Sequence, residues 1–97
     1  MDTTKWMARI TQADSAAEVI DLVNQYVAAR DPQVIAALPA ECRPTAVRNA
    51  DEVSGCAYRL SAYHGHDDVN RVVQRLAAFF THASFRLSEL AHGARKG

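Results

Sequence analysis

The strongest regularity in the chain lies in its last third, where Val69, Val73, Leu76, Phe80, Ala83, Leu87 and Leu90 recur at alternating steps of four and three. That spacing aligns one face of an α-helix. Gly and Pro are absent from Asp67 to His92. The periodicity therefore predicts an unbroken helix over 68–92, capped by Asp67 and closed by a left-handed Gly93. At about 1.5 Å per residue it extends roughly 35 Å, long enough to form the spine of a small domain. Val72 and Phe79 widen the stripe beyond a two-in-seven seam, which points to burial by several helices rather than by one coiled-coil partner.

Shorter segments precede it. Thr3 or Thr4 caps an opening helix in which Trp6, Met7 and Ile10 share a side. Such a helix is too short to stand alone and has to dock its Trp. Ser15-Ala-Ala-Glu18 forms a capping box ahead of Val19, Leu22, Val23, Tyr26 and Val27, predicting a helix over 15–30. Asp31-Pro32 opens a short helix over 32–38, which Pro39 stops. Asn49-Ala-Asp-Glu52 repeats the capping box, with Val53, Cys56, Ala57 and Leu60 as the apolar face of a helix over 49–63. Gly55 weakens that helix by about 1 kcal/mol relative to Ala unless a neighbour packs closely against it.

The two capping boxes lie 34 residues apart, the period of a tetratricopeptide repeat. Two copies are fewer than such an array needs, and the Trp, Gly and Tyr positions of that repeat are missing. The expected architecture is all-α: one bundle of four to five helices over residues 1–92 organised around the long C-terminal helix, with a flexible basic tail at 93–97.

Composition fits this reading. The 97 residues are 48% apolar and 23% charged, ordinary for one globular domain and unlike a disordered chain. The sequence shows no apolar run approaching ~20 residues and no signal-peptide pattern. The expectation is a cytoplasmic protein with no membrane partner. Two cysteines, Cys42 and Cys56, do not make a disulfide framework and read as reduced thiols. The formal charge is zero, but it is unevenly spread. From Val69 onward Arg71, Arg75, Arg86, Arg95 and Lys96 face only Glu89, whereas the preceding part carries ten acids and six bases. The last helix is locally basic.

Three kinds of chemistry are suggested by the side chains. His64, His66 and Asp67, in a Gly-containing turn, are weak candidates for a metal site, although His-x-His is a spacing of low specificity. Cys42 has a basic neighbour, Arg43, that would lower a thiol pKa, and His82 is a candidate base for it if the fold joins them. Cys56 lies on an apolar face and reads as core. Outside the stripe, Arg71, Arg75, His82, Phe85 and Arg86 project from the long helix. If Phe85 is exposed rather than covered by the Trp6 segment, they form an aromatic and basic patch suited to a partner protein, a second copy of the chain or, more weakly, a nucleic-acid backbone. A helix-turn-helix over Leu60 to Leu76 fails at its apolar positions, which hold His66 and Arg71. No glycine-rich phosphate loop or paired-carboxylate motif is present.

Leu38-Pro39-Ala40-Glu41-Cys42-Arg43-Pro44 and Phe79-Phe80-Thr81-His82-Ala83-Ser84-Phe85-Arg86-Leu87 resemble two signatures of a group of short bacterial helical proteins that carry no assigned activity. The resemblance covers nearly the whole chain. It implies a small helical fold and brings no catalytic residue, cofactor or substrate. The sequence thus favours a non-enzymatic interaction or regulatory module without a cofactor. Its expected partner face comprises Arg71, Arg75, His82, Phe85 and Arg86 beside Cys42 and Arg43. A metal- or thiol-dependent site, at His64, His66 and Asp67 or at Cys42 with His82, is the competing reading.

Overall fold

The computed structural model describes residues 3–65 and 67–96. Among them are five α-helices and no strand: α1 (Thr3–Gln12), α2 (Ala16–Ala28), α3 (Pro32–Ala36), α4 (Ala50–Ser61) and α5 (Asp67–Lys96). A 3-10 turn at Ala40–Cys42 sits in the connection between α3 and α4. The longest dimension is 45 Å, which 30 residues of helix account for at about 1.5 Å each. Helix α5 is the common partner, touching α1, α2 and above all α4.

The caps form where the sequence put them. The Ser15 hydroxyl accepts the Glu18 N–H at 3.2 Å, Asp31 accepts the Gln33 N–H at 2.9 Å, and Asn49 accepts the Glu52 N–H at 3.0 Å. Glu52 reaches back to the Arg48 N–H at 2.7 Å, one residue beyond the usual reciprocal target. Helix α1 begins at Thr3, whose hydroxyl lies 3.2 Å from the Tyr26 hydroxyl. The irregular connection before α4 is pinned by Asn24, which donates to the Val47 carbonyl at 3.0 Å and accepts the Val47 N–H at 2.8 Å. Both polar groups of a buried loop residue are thereby satisfied.

The stripe on α5 is the floor of the core. Val73, Leu76, Phe80, Ala83 and Leu87 are buried, with Val69 and Leu90 half-buried at its ends. Phe79 is fully buried too, and it carries an aromatic chain across the bundle. Its ring stacks on Tyr26 with centroids 3.7 Å apart, Tyr26 meets Trp6 edge-on at 5.8 Å, and Phe79 meets Phe80 edge-on at 5.9 Å. Each such pair contributes about 0.5–1.5 kcal/mol beyond the area it buries. Trp6 therefore docks on α2, which holds the short α1 in place.

Two boundaries differ from expectation. Gly93 does not stop α5: it takes a right-handed conformation and the helix continues to Lys96. A left-handed stop is favoured when an apolar residue beyond the Gly packs back on the preceding turn. Ala94-Arg95-Lys96 supplies none that is large, so the tail expected at 93–97 is helical through Lys96. Asp67 is the first residue of α5 rather than the residue before it, a difference of one position of the usual size.

Gly55 has no close neighbour: a Cβ built there meets nothing within 4 Å. With the φ/ψ of a helix and open space, Gly55→Ala should raise stability by about 0.5–1 kcal/mol, because alanine loses less backbone entropy on folding. A urea midpoint that falls in the variant would contradict this.

Candidate functional site

The seven residues expected to form a partner face part company in the structure. Cys42 is 1% exposed and belongs to the core. Arg43 turns its guanidinium inward along the loop, donating from Nε to the Leu38 carbonyl at 2.8 Å and from Nη2 to the Ala36 carbonyl at 2.9 Å. It thus satisfies carbonyls at the end of α3. His82 is half-buried between α5 and α1, with Nε2 3.1 Å from the Met7 carbonyl and 2.8 Å from the Thr11 hydroxyl. The Thr11 hydroxyl also donates to the Met7 carbonyl at 3.1 Å, so the three groups form one cluster between the helices. Arg86 donates from Nε and Nη2 to the Ala13 carbonyl at 3.2 and 2.7 Å, and its Nη1 lies 3.6 Å from Glu89. It ties the end of α1 to α5.

Only Arg71, Arg75 and Phe85 of the seven remain open to solvent without such a role. Phe85 is 68% exposed. Neither Arg71 nor Arg75 has a hydrogen bond or ion pair among the described residues. The Trp6 ring packs on Tyr26, which in turn stacks on Phe79, and Phe85 is left exposed. A helix offers each flank to a different neighbour, and adjacent positions differ by about 100°. Ser84 faces α4, its hydroxyl 2.8 Å from that of Ser54. Arg86 faces α1. Phe85, between them in sequence, is left pointing outward.

Sequence reasoning did not single out Tyr58, which is 77% exposed on α4. It follows Ser54 by one turn, so Tyr58 and Phe85 stand on the same outward flank of the α4–α5 pair. The signal was available: Tyr58 lies off the Val53, Cys56, Ala57 and Leu60 face of its helix just as Phe85 lies off the stripe of α5. Behind Tyr58 a shallow hollow is lined by Glu41, Cys42, Arg59 and His64, which brings the Cys42 loop to the edge of this flank.

The thiol chemistry is corrected by the fold. Burial pushes the Cys42 thiol up, Glu41 adds to the effect, and Arg59 opposes it. Arg43, the expected activator, directs its guanidinium to carbonyls instead. The proposed base is engaged as well, since His82 Nε2 lies against the Met7 carbonyl and the Thr11 hydroxyl of α1. Cys56 is buried, with Arg59 Nη2 3.3 Å from its sulfur, and both thiols are free. Of the metal candidates, His64 is exposed, while His66 and the side chain of Asp67 lie outside the described residues. Among the described residues no group of three or more His, Cys, Asp or Glu side chains is gathered to hold a metal ion. None of their helices is long and apolar enough to cross a membrane.

Fold and site together define a small all-α bundle built on a long terminal helix, with an aromatic outer flank and internally hydrogen-bonded arginines. Comparison with protein-family models, curated proteins and solved structures finds no match to the chain.

Two outcomes follow from these contacts. Arg86→Lys keeps the charge but loses the two-nitrogen grip on the Ala13 carbonyl, and should lower stability by about 1–3 kcal/mol while speeding amide exchange in α1. Unchanged exchange there would show that the contact does not hold α1. For Cys42, the raised thiol means that the folded chain keeps its proton where the unfolded chain has lost it. Stability is thus intact below roughly pH 8.5 and declines as pH rises through the higher native value. Iodoacetamide at about pH 8 should leave both cysteines of the native chain unmodified while labelling the denatured one; rapid native labelling of Cys42 would overturn this.

Proposed function

We propose that the chain is a non-enzymatic protein-interaction module whose contact face is the outward flank of α4 and α5, with Tyr58 and Phe85 as anchors and Arg71 and Arg75 as its cationic extension. One observation carries the reading. Trp6, Tyr26, Phe79 and Phe80 are buried, yet two aromatics in helix interiors stand 68% and 77% exposed on one flank. Aromatic and Arg side chains are the residues enriched at the centres of interfaces, and they dominate binding when a partner desolvates them. A single exposed apolar residue needs no explanation, whereas a pair on a shared flank beside exposed arginines marks a contact surface. The same flank serves equally for a second copy of the chain, which an isologous contact would pair with itself. The raised Cys42 thiol and the engaged His82 argue against a thiol nucleophile. Two free, buried thiols suit a reducing compartment such as the cytoplasm.

The test is a comparison of captured proteins. Wild-type chain and the Tyr58→Ala/Phe85→Ala variant, matched in melting temperature, are used to capture partners from the native cell, with sedimentation of each chain alone. A partner, or a self-associated species, that the wild type retains and the variant loses by roughly tenfold or more supports the reading. The same proteins bound equally by both would end it.

A further inference from the structure

A second concave feature lies against the first half of α5, on the side of α2 and α3. A cleft of about 270 Å³ opens between the α2–α3 corner and the first half of α5, floored by Val34, Ile35 and Val72 and bordered by Arg30 and Arg75. Val34 is 39% exposed, an apolar β-branched side chain left facing water in a helix of only five residues. Arg30 is held in place: its Nε donates to the Tyr26 carbonyl at 3.1 Å, and its guanidinium lies 4.2 Å from the Tyr26 ring centroid. Its two terminal nitrogens make no hydrogen bond among the described residues. Arg75 has neither a hydrogen bond nor an ion pair among the described residues. The acid lining the cleft, Asp31, accepts the Gln33 N–H as the cap of α3 and pairs with neither arginine. Two cations and an apolar floor therefore converge, and among the described residues no carboxylate pairs with either cation.

We propose that this cleft receives an acidic anchor of a partner protein: a Glu or Asp side chain set between Arg30 and Arg75, with a neighbouring aliphatic side chain laid on Val34, Ile35 and Val72. The charge selects the occupant. Guanidinium groups pair with carboxylates through short, charge-assisted hydrogen bonds, and the pre-positioned Arg30 loses little freedom in doing so. The cleft, of about 270 Å³, has room for two side chains. An acidic and an apolar residue at helical spacing, docked along α5, would satisfy both requirements at once. The inference rests on the interaction-module reading and names the chemistry of the partner.

The test uses the full chain, isotopically labelled, and two blocked peptides: Ac-Glu-Glu-Leu-Leu-Glu-Glu-amide and its twin with Gln for every Glu. Titration with the first should give saturable shifts at the methyls of Val34, Ile35 and Val72 and at the side-chain N–H of Arg30 and Arg75. The Gln twin should bind roughly tenfold or more weakly, and so should the first peptide to Arg75→Gln, whose exposed position leaves the fold intact. Tyr58→Ala/Phe85→Ala should leave this short probe's affinity unchanged. Equal binding of the two peptides would overturn the proposal, as would no shift up to roughly 1 mM peptide. Shifts centred on Tyr58 and Phe85 would overturn the cleft while leaving the outer flank standing. Dodecanoate shifting the cleft residues while the Glu peptide does not would overturn the peptide assignment in favour of a small amphiphile.

Discussion

The stack of Tyr26 on Phe79 is the contact that the rest of the bundle depends on. It is the point where α2 meets α5, with ring centroids 3.7 Å apart, and every other aromatic in the core is reached through it. Trp6 brings α1 by its edge contact with Tyr26, and Arg30 lies over the Tyr26 ring. Phe79 occupies one face of that ring, so the guanidinium takes the other. The stack thereby fixes two things at once: the seat of α1 and the position of an arginine on the border of the α2–α3 cleft. The Trp6 indole N–H shows the cost of the arrangement, since it is buried with no partner among the described residues. An unmet donor costs about 1–3 kcal/mol, an amount that burying a ring of 150–250 Å² exceeds at about 25 cal/mol per Å².

The α4–α5 contact is built differently. Here Ala57 and Ala77 are buried and the Ser54 and Ser84 hydroxyls touch at 2.8 Å, so small side chains let the helices approach closely. No large residue occupies the outer side of that seam to cover Tyr58 and Phe85. One side of α5 is thus sealed by rings and arginines, and the other is closed by small residues that leave two rings in water. The difference in packing between the two flanks decides which face of the spine is open.

Much of this was legible in the chain. The α5 stripe, the three side-chain caps and the core role of Cys56 follow from local spacing, and each depends on residues within a few positions of one another. What failed to read from sequence depends on distant partners. Arg86 and His82 looked like a free basic surface, but carbonyls at Ala13 and Met7 engage them; Arg43 is engaged locally, by the Ala36 and Leu38 carbonyls of its own loop. Nothing in residue spacing announces that a loop carbonyl will sit within reach of a helix 70 positions away. The cleft is illegible for the same reason, as Arg30 comes from the turn after α2, Val34 from α3 and Arg75 from α5. Gly93 was misread because the residue type permits a left-handed stop without requiring one.

Magnitudes constrain what the outer flank is able to do. Burying one large apolar side chain contributes about 1.5–3 kcal/mol, so Tyr58 and Phe85 together supply roughly 3–6 kcal/mol to an interface. Lost translational and rotational freedom on association costs about 4–15 kcal/mol. Two rings alone therefore do not hold a partner. Charge-assisted contacts from Arg71 and Arg75, at about 1.5–3 kcal/mol each when well formed, raise the total only to modest affinity. A second point of attachment, away from the rings and along the same helix, is what a stable complex with this surface requires. The α2–α3 cleft shares Arg75 with that extension and supplies an apolar floor. A partner that lies along α5 and engages both ends gains from the rigidity of the spine, because the two contacts are then held at fixed separation and the second forms without a further loss of freedom.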